Sequence, residues 1–237
     1  LELLKEHDKI LFNSIDKFDG TMLKNRGDGV IAQFNLPVDS IKMAVHAQRQ
    51  FERRNSLNVK SRNLNVRMGI HYGEYLKEGE DIHGDCINIA SKLEPEAPEG
   101  GILISKELCY QIIDVNNIYI REFKKIFLND VGEMTYEVYL DLIDWYQNKK
   151  NRMSVLTNKK NILEKAQSFY SKGDYSTALK FSILAYEKNE DIDITNTNSL
   201  IINYLVALGE FKIADNLLNK INLEDVSYDT NIKAQIL

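Results

Sequence analysis

Lys24-Asn25-Arg26-Gly27-Asp28-Gly29-Val30-Ile31-Ala32-Gln33-Phe34 is the stretch from which the rest of the chain is read. Gly27-Asp28-Gly29 is a tight-turn signal, because glycine tolerates positive φ and Asp-Gly favours the turns that join hairpin strands. Thr21, Met22 and Leu23 before the turn, and Val30, Ile31 and Phe34 after it, suit strands. The stretch predicts a β-hairpin whose tip presents the carboxylate of Asp28, with Lys24 on the incoming strand. A carboxylate on a rigid turn, with little bulk around it, can hold a hard cation such as Mg²⁺. The alternative is that Asp28 only builds the turn.

Outward from the hairpin, strand and helix signals alternate. Leu4, Leu11, Ile15 and Phe18 fall at helical spacing, so residues 1–18 read as an amphipathic helix ended by Asp19-Gly20. Ile41, Ala44, Val45, Gln48 and Phe51 predict a second, closing in Glu52-Arg53-Arg54. Val66–Tyr72 alternates as a strand does, and Gly79–Asp85 reads as a loop. Cys86–Leu93 reads as a short helix that Pro95 and Pro98 should stop. Ile102–Ser105 predicts a strand, Lys106–Ile113 a helix, and Tyr119–Phe127 and Thr135–Leu140 two further strands. The alternation is that of a two-layer α/β or α+β domain.

The 237 residues, 43% hydrophobic and 27% charged, are ordinary globular material, enough for one large domain or two modest ones. A net charge of −5 gives no basis for nucleic-acid or anionic-membrane binding. Cys86 and Cys109 lack the spacing of metal ligands or a disulfide framework, which fits a reducing, cytoplasmic setting. No apolar run approaches the ~18–20 residues of a membrane helix, and no signal peptide is visible. The chain opens at Leu1 without methionine and stops at Leu237 inside a helical pattern, as a piece of a longer protein would.

The loop-to-helix junction at 81–93 carries a second constellation. Asn88 and Lys92 are four apart and share a helix face, while Ile89, Ala90 and Leu93 supply an apolar side. Asp81 sits three residues before Gly84, near the helix start. An amide, a cation and a carboxylate together could read a nucleotide; a solvated helix face with a loop aspartate is the alternative. His71 and His83 have no second ligand at a suitable spacing and read as strand and loop residues.

Four blocks together resemble the class III nucleotide cyclase catalytic domain, the adenylate and guanylate cyclase family. They are Lys24–Phe34, Val66–Glu74 (Val-Arg-Met-Gly-Ile-His-Tyr-Gly-Glu), Asp81–Leu93 (Asp-Ile-His-Gly-Asp-Cys-Ile-Asn-Ile-Ala-Ser-Lys-Leu) and Gly100–Ser105 (Gly-Gly-Ile-Leu-Ile-Ser), in the family's order and spacing. The resemblance implies an α+β ferredoxin-like two-layer sandwich of the nucleotide cyclase type, working as a head-to-tail homodimer with substrate between subunits. It implies two divalent ions, Mg²⁺ or Mn²⁺, held by two aspartates, and attack of the ribose 3′-hydroxyl on the α-phosphate with loss of pyrophosphate. Asp28 matches one metal aspartate. Lys24 and Asp81 match the pair that reads the purine in adenylate cyclases, where guanylate cyclases typically carry Glu and Cys. Donor Lys24 suits adenine N1 and acceptor Asp81 its 6-amino group, which favours ATP over GTP. Asn88 matches the residue that orients the ribose, and Lys124 in Phe123-Lys124-Lys125-Ile126 the lysine that binds the triphosphate.

Two positions depart from the family. Its first metal aspartate lies well upstream of the second, across a whole helix, and Asp8, Asp16 and Asp19 have neither the place nor the context for it. Lys92 stands where the family usually has an arginine that stabilises the transition state. Lysine keeps the charge but loses the planar fork.

From Ile162 the pattern changes. Ala166, Phe169, Tyr170, Gly173, Tyr175, Ala178 and Ala185 are spaced like a tetratricopeptide unit. Leu205, Gly209, Phe211 and Ala214 answer them, Gly209 following Gly173 by 36 positions, against a usual period of about 34. A plain helical appendage is the alternative. Residues 222–237 read as the start of another unit. The expected organisation is a cyclase-like domain over 1–143, a linker over 144–160 that opens at the polar stretch from Trp145, and an all-α helical-repeat segment over 161–237. The expected function is adenylate cyclase, converting ATP to cyclic AMP and pyrophosphate in signalling, with a repeat module that binds an unknown protein. The alternative is a catalytically silent cyclase-like domain kept for dimerisation or nucleotide sensing.

Overall fold

The computed structural model describes residues 2–25, 27, 29–78, 81–128, 131–147, 162–187 and 194–219. The chain divides into two compact units, Leu1–Asn151 and Arg152–Leu237.

The first unit begins with α1 (Glu2–Lys17) and, after the hairpin, α2 (Pro37–Ser56). Leu11 and Ile15 of α1 are buried, and so are Ile41, Ala44, Ala47 and Phe51 of α2, at the three- and four-residue spacing that puts them on one stripe. Pro37 opens α2, where its missing N–H costs nothing. Between them β1 (Thr21–Asn25) and β2 (Val30–Gln33) form an antiparallel two-stranded sheet. Gly27, at φ +89°, takes the turn, and its N–H donates to Asn25 Oδ1 at 2.9 Å.

The remaining elements are β3 (Met68–Ile70), β4 (Leu76–Glu78), β5 (Asp81–His83), α3 (Asp85–Glu96), β6 (Ile102–Ile104), α4 (Lys106–Ile112), β7 (Tyr119–Leu128), β8 (Val131–Tyr139) and α5 (Leu142–Gln147). Four strands form one sheet in the order β3-β6-β8-β7, with β3 and β6 parallel and the other pairs antiparallel. The register puts Leu103, Glu137 and Arg121 on one face, and Ile102, Ile104, Tyr136, Val138 and Ile120 on the other. Leu103 packs with Leu93 and Ala97 at the α3 end, together with Ile126 and Leu128. On the opposite face Tyr136 lies near Cys109 of α4, where burial pushes its hydroxyl pKa well above the ordinary tyrosine value. The α3 end of the core thus packs on one face of the sheet, and α4 contacts β8.

Three local expectations are corrected. The segment around Asp81 is no loop: β4 and β5 pair as an antiparallel hairpin, Glu78 opposite Asp81. Helix α3 passes Pro95 and ends at Glu96. So near a C-terminus the ring removes a single helical hydrogen bond, and the chain leaves at Ala97 in the extended conformation that a following proline favours. Trp145, expected to open a linker, is wholly buried. Its indole Nε1 donates to the Ile120 carbonyl at 2.9 Å, while Arg121, also wholly buried, lies 4.6 Å over its ring and donates from Nε to the Trp145 carbonyl at 2.9 Å.

The second unit holds α6 (Ile162–Ser171), α7 (Tyr175–Glu187), α8 (Ile194–Ala207) and α9 (Phe211–Leu218), each packed on the next. Two of its turns are superposable in their bonding. Gly173 N donates to the Tyr170 carbonyl at 2.9 Å and Asp174 N to that of Phe169 at 3.0 Å. Gly209 N donates to Val206 at 2.9 Å and Glu210 N to Leu205 at 2.9 Å. Both glycines lie near φ +78°, the left-handed helix end that glycine alone reaches cheaply. Asp174 then caps α7 through Thr177 N, whereas Glu210 makes no side-chain cap. Residues 222–237 and most of the expected linker lie outside the described residues.

One contact positions α3. A Cβ built on Gly69 of β3 would sit 2.5 Å from the Ala90 carbonyl oxygen, and closer still to the Glu94 nitrogen. These are backbone atoms that cannot swing aside. Gly69→Ala is expected to lower stability by about 1–3 kcal/mol, read as a fall in the urea midpoint of the first unit's unfolding transition.

Candidate active site

Helix α3 lies against β3 through Ala90 and Glu94 and against the core through Leu93 and Ala97. Its periodicity then turns Asn88 and Lys92 outward, and both are exposed. Beside it, β7 carries a bulge between Glu122 and Lys125 where its register with β8 shifts. Bulges re-aim side chains, and Lys124 of this bulge reaches Glu96 of α3, its Nζ 2.6 Å from the carboxylate. The two elements border an open groove of about 690 Å³ lined by Ser91, Lys92, Pro95, Glu96, Lys124, Lys125, Ile126 and Phe127. The groove brings Lys92 and Lys124 together. Lys24, Asp81 and Asn88 are not among its lining residues.

Lys24 lies exposed on β1, opposite Ile31. Asp81 is the first residue of β5. The two therefore sit on separate two-stranded sheets. Asp28 lies outside the described residues. Among the described residues no three His, Cys, Asp or Glu side chains cluster in a way that could hold a metal ion.

His71, expected within a strand, directly follows β3. Its Nδ1 is 2.8 Å from Ser105 Oγ and 3.7 Å from the Glu107 carboxylate. Ser105 Oγ also accepts the Leu108 N–H as the cap of α4. Burial holds the His71 pKa below the ordinary histidine value, against a smaller opposing pull from Glu107.

With this geometry established, the comparisons decide the family. Residues 1–140 match the adenylate and guanylate cyclase catalytic domain. The chain belongs to that family. A Rhizobium meliloti (strain 1021) protein whose name places it among adenylate cyclases is 31% identical over 86 residues, 36% of this chain and 15% of that protein. The chain spans at most 15% of the length of the curated relatives it matches. The adenylate/guanylate cyclase/hydrolase structure from Silicibacter pomeroyi superposes with a TM-score of 0.53 at 21% identity, covering 56% of this chain and 81% of that one. The adenylyl cyclase CyaB of P. aeruginosa gives 0.50 at 23% identity, covering 58% and 81%. These likenesses give the cyclase domain its fold.

Three features of the cyclase domain escaped the sequence reading. Glu96 could have been found, since it lies four residues after Lys92 on the same helix. The hydrogen bond from the Tyr75 hydroxyl to Gln33 Oε1 joins residues 42 apart in sequence and leaves no local trace. Neither the β7 bulge nor a register shift between Met22 and Lys24 on β1 breaks the strand pattern enough to be seen.

The His71 environment sets a pH dependence. A folded-state pKa below the ordinary 6.5 means the unfolded chain takes up the proton first. The stability is present above pH about 6.5 and is lost as the pH falls below it. The difference in melting temperature between wild type and His71→Gln is expected to shrink from pH 7.5 to pH 5.5; a difference independent of pH would contradict a neutral buried imidazole.

Proposed function

We propose that the domain over 1–143 is an adenylate cyclase that converts ATP to cyclic AMP and pyrophosphate in intracellular signalling. The observation that carries this reading is the common groove of Lys92 and Lys124, two ammonium groups 32 positions apart in sequence. Two cations lining one groove suit a triphosphate, whose charge must be neutralised as it reacts. Lys124 is assigned to the phosphates, Lys92 to the charge that builds at the α-phosphate, and Asn88, one turn before Lys92, to the ribose. Lys24 donates to adenine N1 and Asp81 accepts from the 6-amino group. Asp28 is assigned as a ligand of Mg²⁺ or Mn²⁺. The active assembly is a homodimer with ATP between subunits, in the cytoplasm. The segment over 161–237, joined through the linker over 144–160, is a tetratricopeptide-like module for an unidentified protein partner. Its two matching glycine turns support that reading.

Lys92 also motivates a second reading. An ammonium cannot make the bidentate contact of a guanidinium, and a domain without that contact could survive as a dimerisation or nucleotide-sensing module.

Cyclic nucleotide formation by the full-length protein, with ATP or GTP and Mg²⁺ or Mn²⁺, separates the two. Product from ATP is expected, and none from either nucleotide would establish the silent reading. Asp28→Ala is expected to abolish product, and Lys24→Glu with Asp81→Cys to shift preference toward GTP. Lys92→Arg is expected to raise kcat by about ten- to a hundredfold, the scale on which a fixed transition-state donor counts. Removing the ion partner of Lys124 in Glu96→Gln should lower KM for ATP by roughly two- to fivefold, since a half-exposed pair is worth at most about 1 kcal/mol.

A further inference from the structure

Tyr75 stands where three site-bearing segments meet. Its hydroxyl donates to Gln33 Oε1 on β2. Its backbone passes Gly84, where a Cβ would sit 3.1 Å from Tyr75 Cα and 3.2 Å from the Glu74 carbonyl oxygen. Gly84 is the residue from which α3 starts, with Asn88 and Lys92 beyond it. In sequence Tyr75 leads directly into β4, whose Glu78 pairs with Asp81.

The hairpin end of this contact involves Lys24. Thr21 pairs with Gln33 and Lys24 with Ile31, with a register shift between Met22 and Lys24. Three residues along a regular strand would place Thr21 and Lys24 on opposite faces. The extra residue, Leu23, restores them to one face. Ile31 and Gln33 are two apart on β2, so Lys24 and Gln33 share that face. The hairpin side that takes the Tyr75 hydroxyl is therefore the side that carries Lys24.

The β1–β2 and β4–β5 ribbons share no ladder, and a two-stranded ribbon holds its place poorly without outside contacts. The distance between Lys24 and Asp81 therefore depends on the contacts that tie one ribbon to the other. We infer that the Tyr75–Gln33 hydrogen bond sets that distance, so that Tyr75 is a positioning residue for nucleobase selection. The inference rests on Lys24 and Asp81 reading the base, as proposed above. Tyr75 touches no reacting atom. It acts by keeping a donor and an acceptor at the separation of adenine N1 and the 6-amino group.

The test uses Tyr75→Phe, Gln33→Ala and the double variant of the full-length protein. Tyr75→Phe leaves the backbone and Cβ beside Gly84 unchanged and removes one hydrogen bond. KM for ATP is expected to rise about three- to tenfold with kcat changed less than about twofold, and the preference for ATP over GTP to fall by a similar factor. Gln33→Ala should do the same, and the double variant should be no worse than either single one. An unchanged ATP-to-GTP ratio, or additive singles, would overturn the inference. Hydrogen exchange judges the tether without any catalysis: Tyr75→Phe should speed exchange across Thr21–Gln33 and Leu76–Glu78 while Ile102–Ile104 stays protected. Unchanged exchange in both ribbons also sinks it. A wild type that forms no cyclic nucleotide but shows the exchange effect would remove the catalytic reading and leave the tether standing.

Discussion

Helix α3 can lie where it does because position 69 carries no side chain. At that crossing the strand backbone meets the helix backbone directly, at Ala90 and Glu94. No other residue leaves the two chains that close. Because α3 is held at this point by its backbone at Ala90 and Glu94, Leu93 and Ala97 turn into the core and Asn88 and Lys92 lie exposed. The site's amide and ammonium are therefore presented by a rigid helix whose rotation is set from behind, at a glycine in a different motif block.

Two lysines of the candidate site depend on a second device. Lys24 follows a register shift on β1 and Lys124 lies within one on β7. A regular strand offers only two directions for a side chain, and here the sheet's need for apolar faces would dictate both. An extra residue breaks that tie locally. At β7 it lets Lys124 reach the edge of α3 while Ile126 and Leu128 still close the core. At β1 it lets Lys24 join the Gln33 face. Charge is thus added to a strand without unpairing the residues that bury it.

What was legible in the sequence follows from how local the causes are. The first hairpin, α1, α2 and the strands at 102–104 and 119–128 rest on turn chemistry and on two- or three-to-four-residue spacing, and each is where its residues put it, while β8 begins four residues before the expected Thr135. Asn88 and Lys92 fall on one exposed helix face as their four-residue spacing predicts, whereas Asp81 occupies a strand. Asp81–His83 reads as loop because a strand of three residues leaves no alternation to detect. Trp145 was missed because its burial comes from partners on β7, Arg121 and the Ile120 carbonyl, which its polar neighbours do not announce. The Tyr75–Gln33 bond belongs to the same kind: it exists only once two distant ribbons are folded.

The groove between α3 and β7 shows what electrostatics can and cannot do there. Lys124 and Glu96 lie 2.6 Å apart, yet each is nearly half exposed, so water competes for both and the pair adds little to stability. A carboxylate oxygen in that position offers Lys124 the same partner that a phosphate oxygen would, at a cost low enough to give up. A deeply buried pair would be the opposite case, locked by the desolvation of whichever charge was left behind. The open setting that makes this ion pair a poor staple is what leaves the ammonium available to an incoming anion. Lys92, lining the same groove, keeps the local charge positive when Glu96 is in contact with Lys124. The positive balance of the groove therefore does not depend on the pair opening first; opening only changes whether Lys124 holds its carboxylate partner.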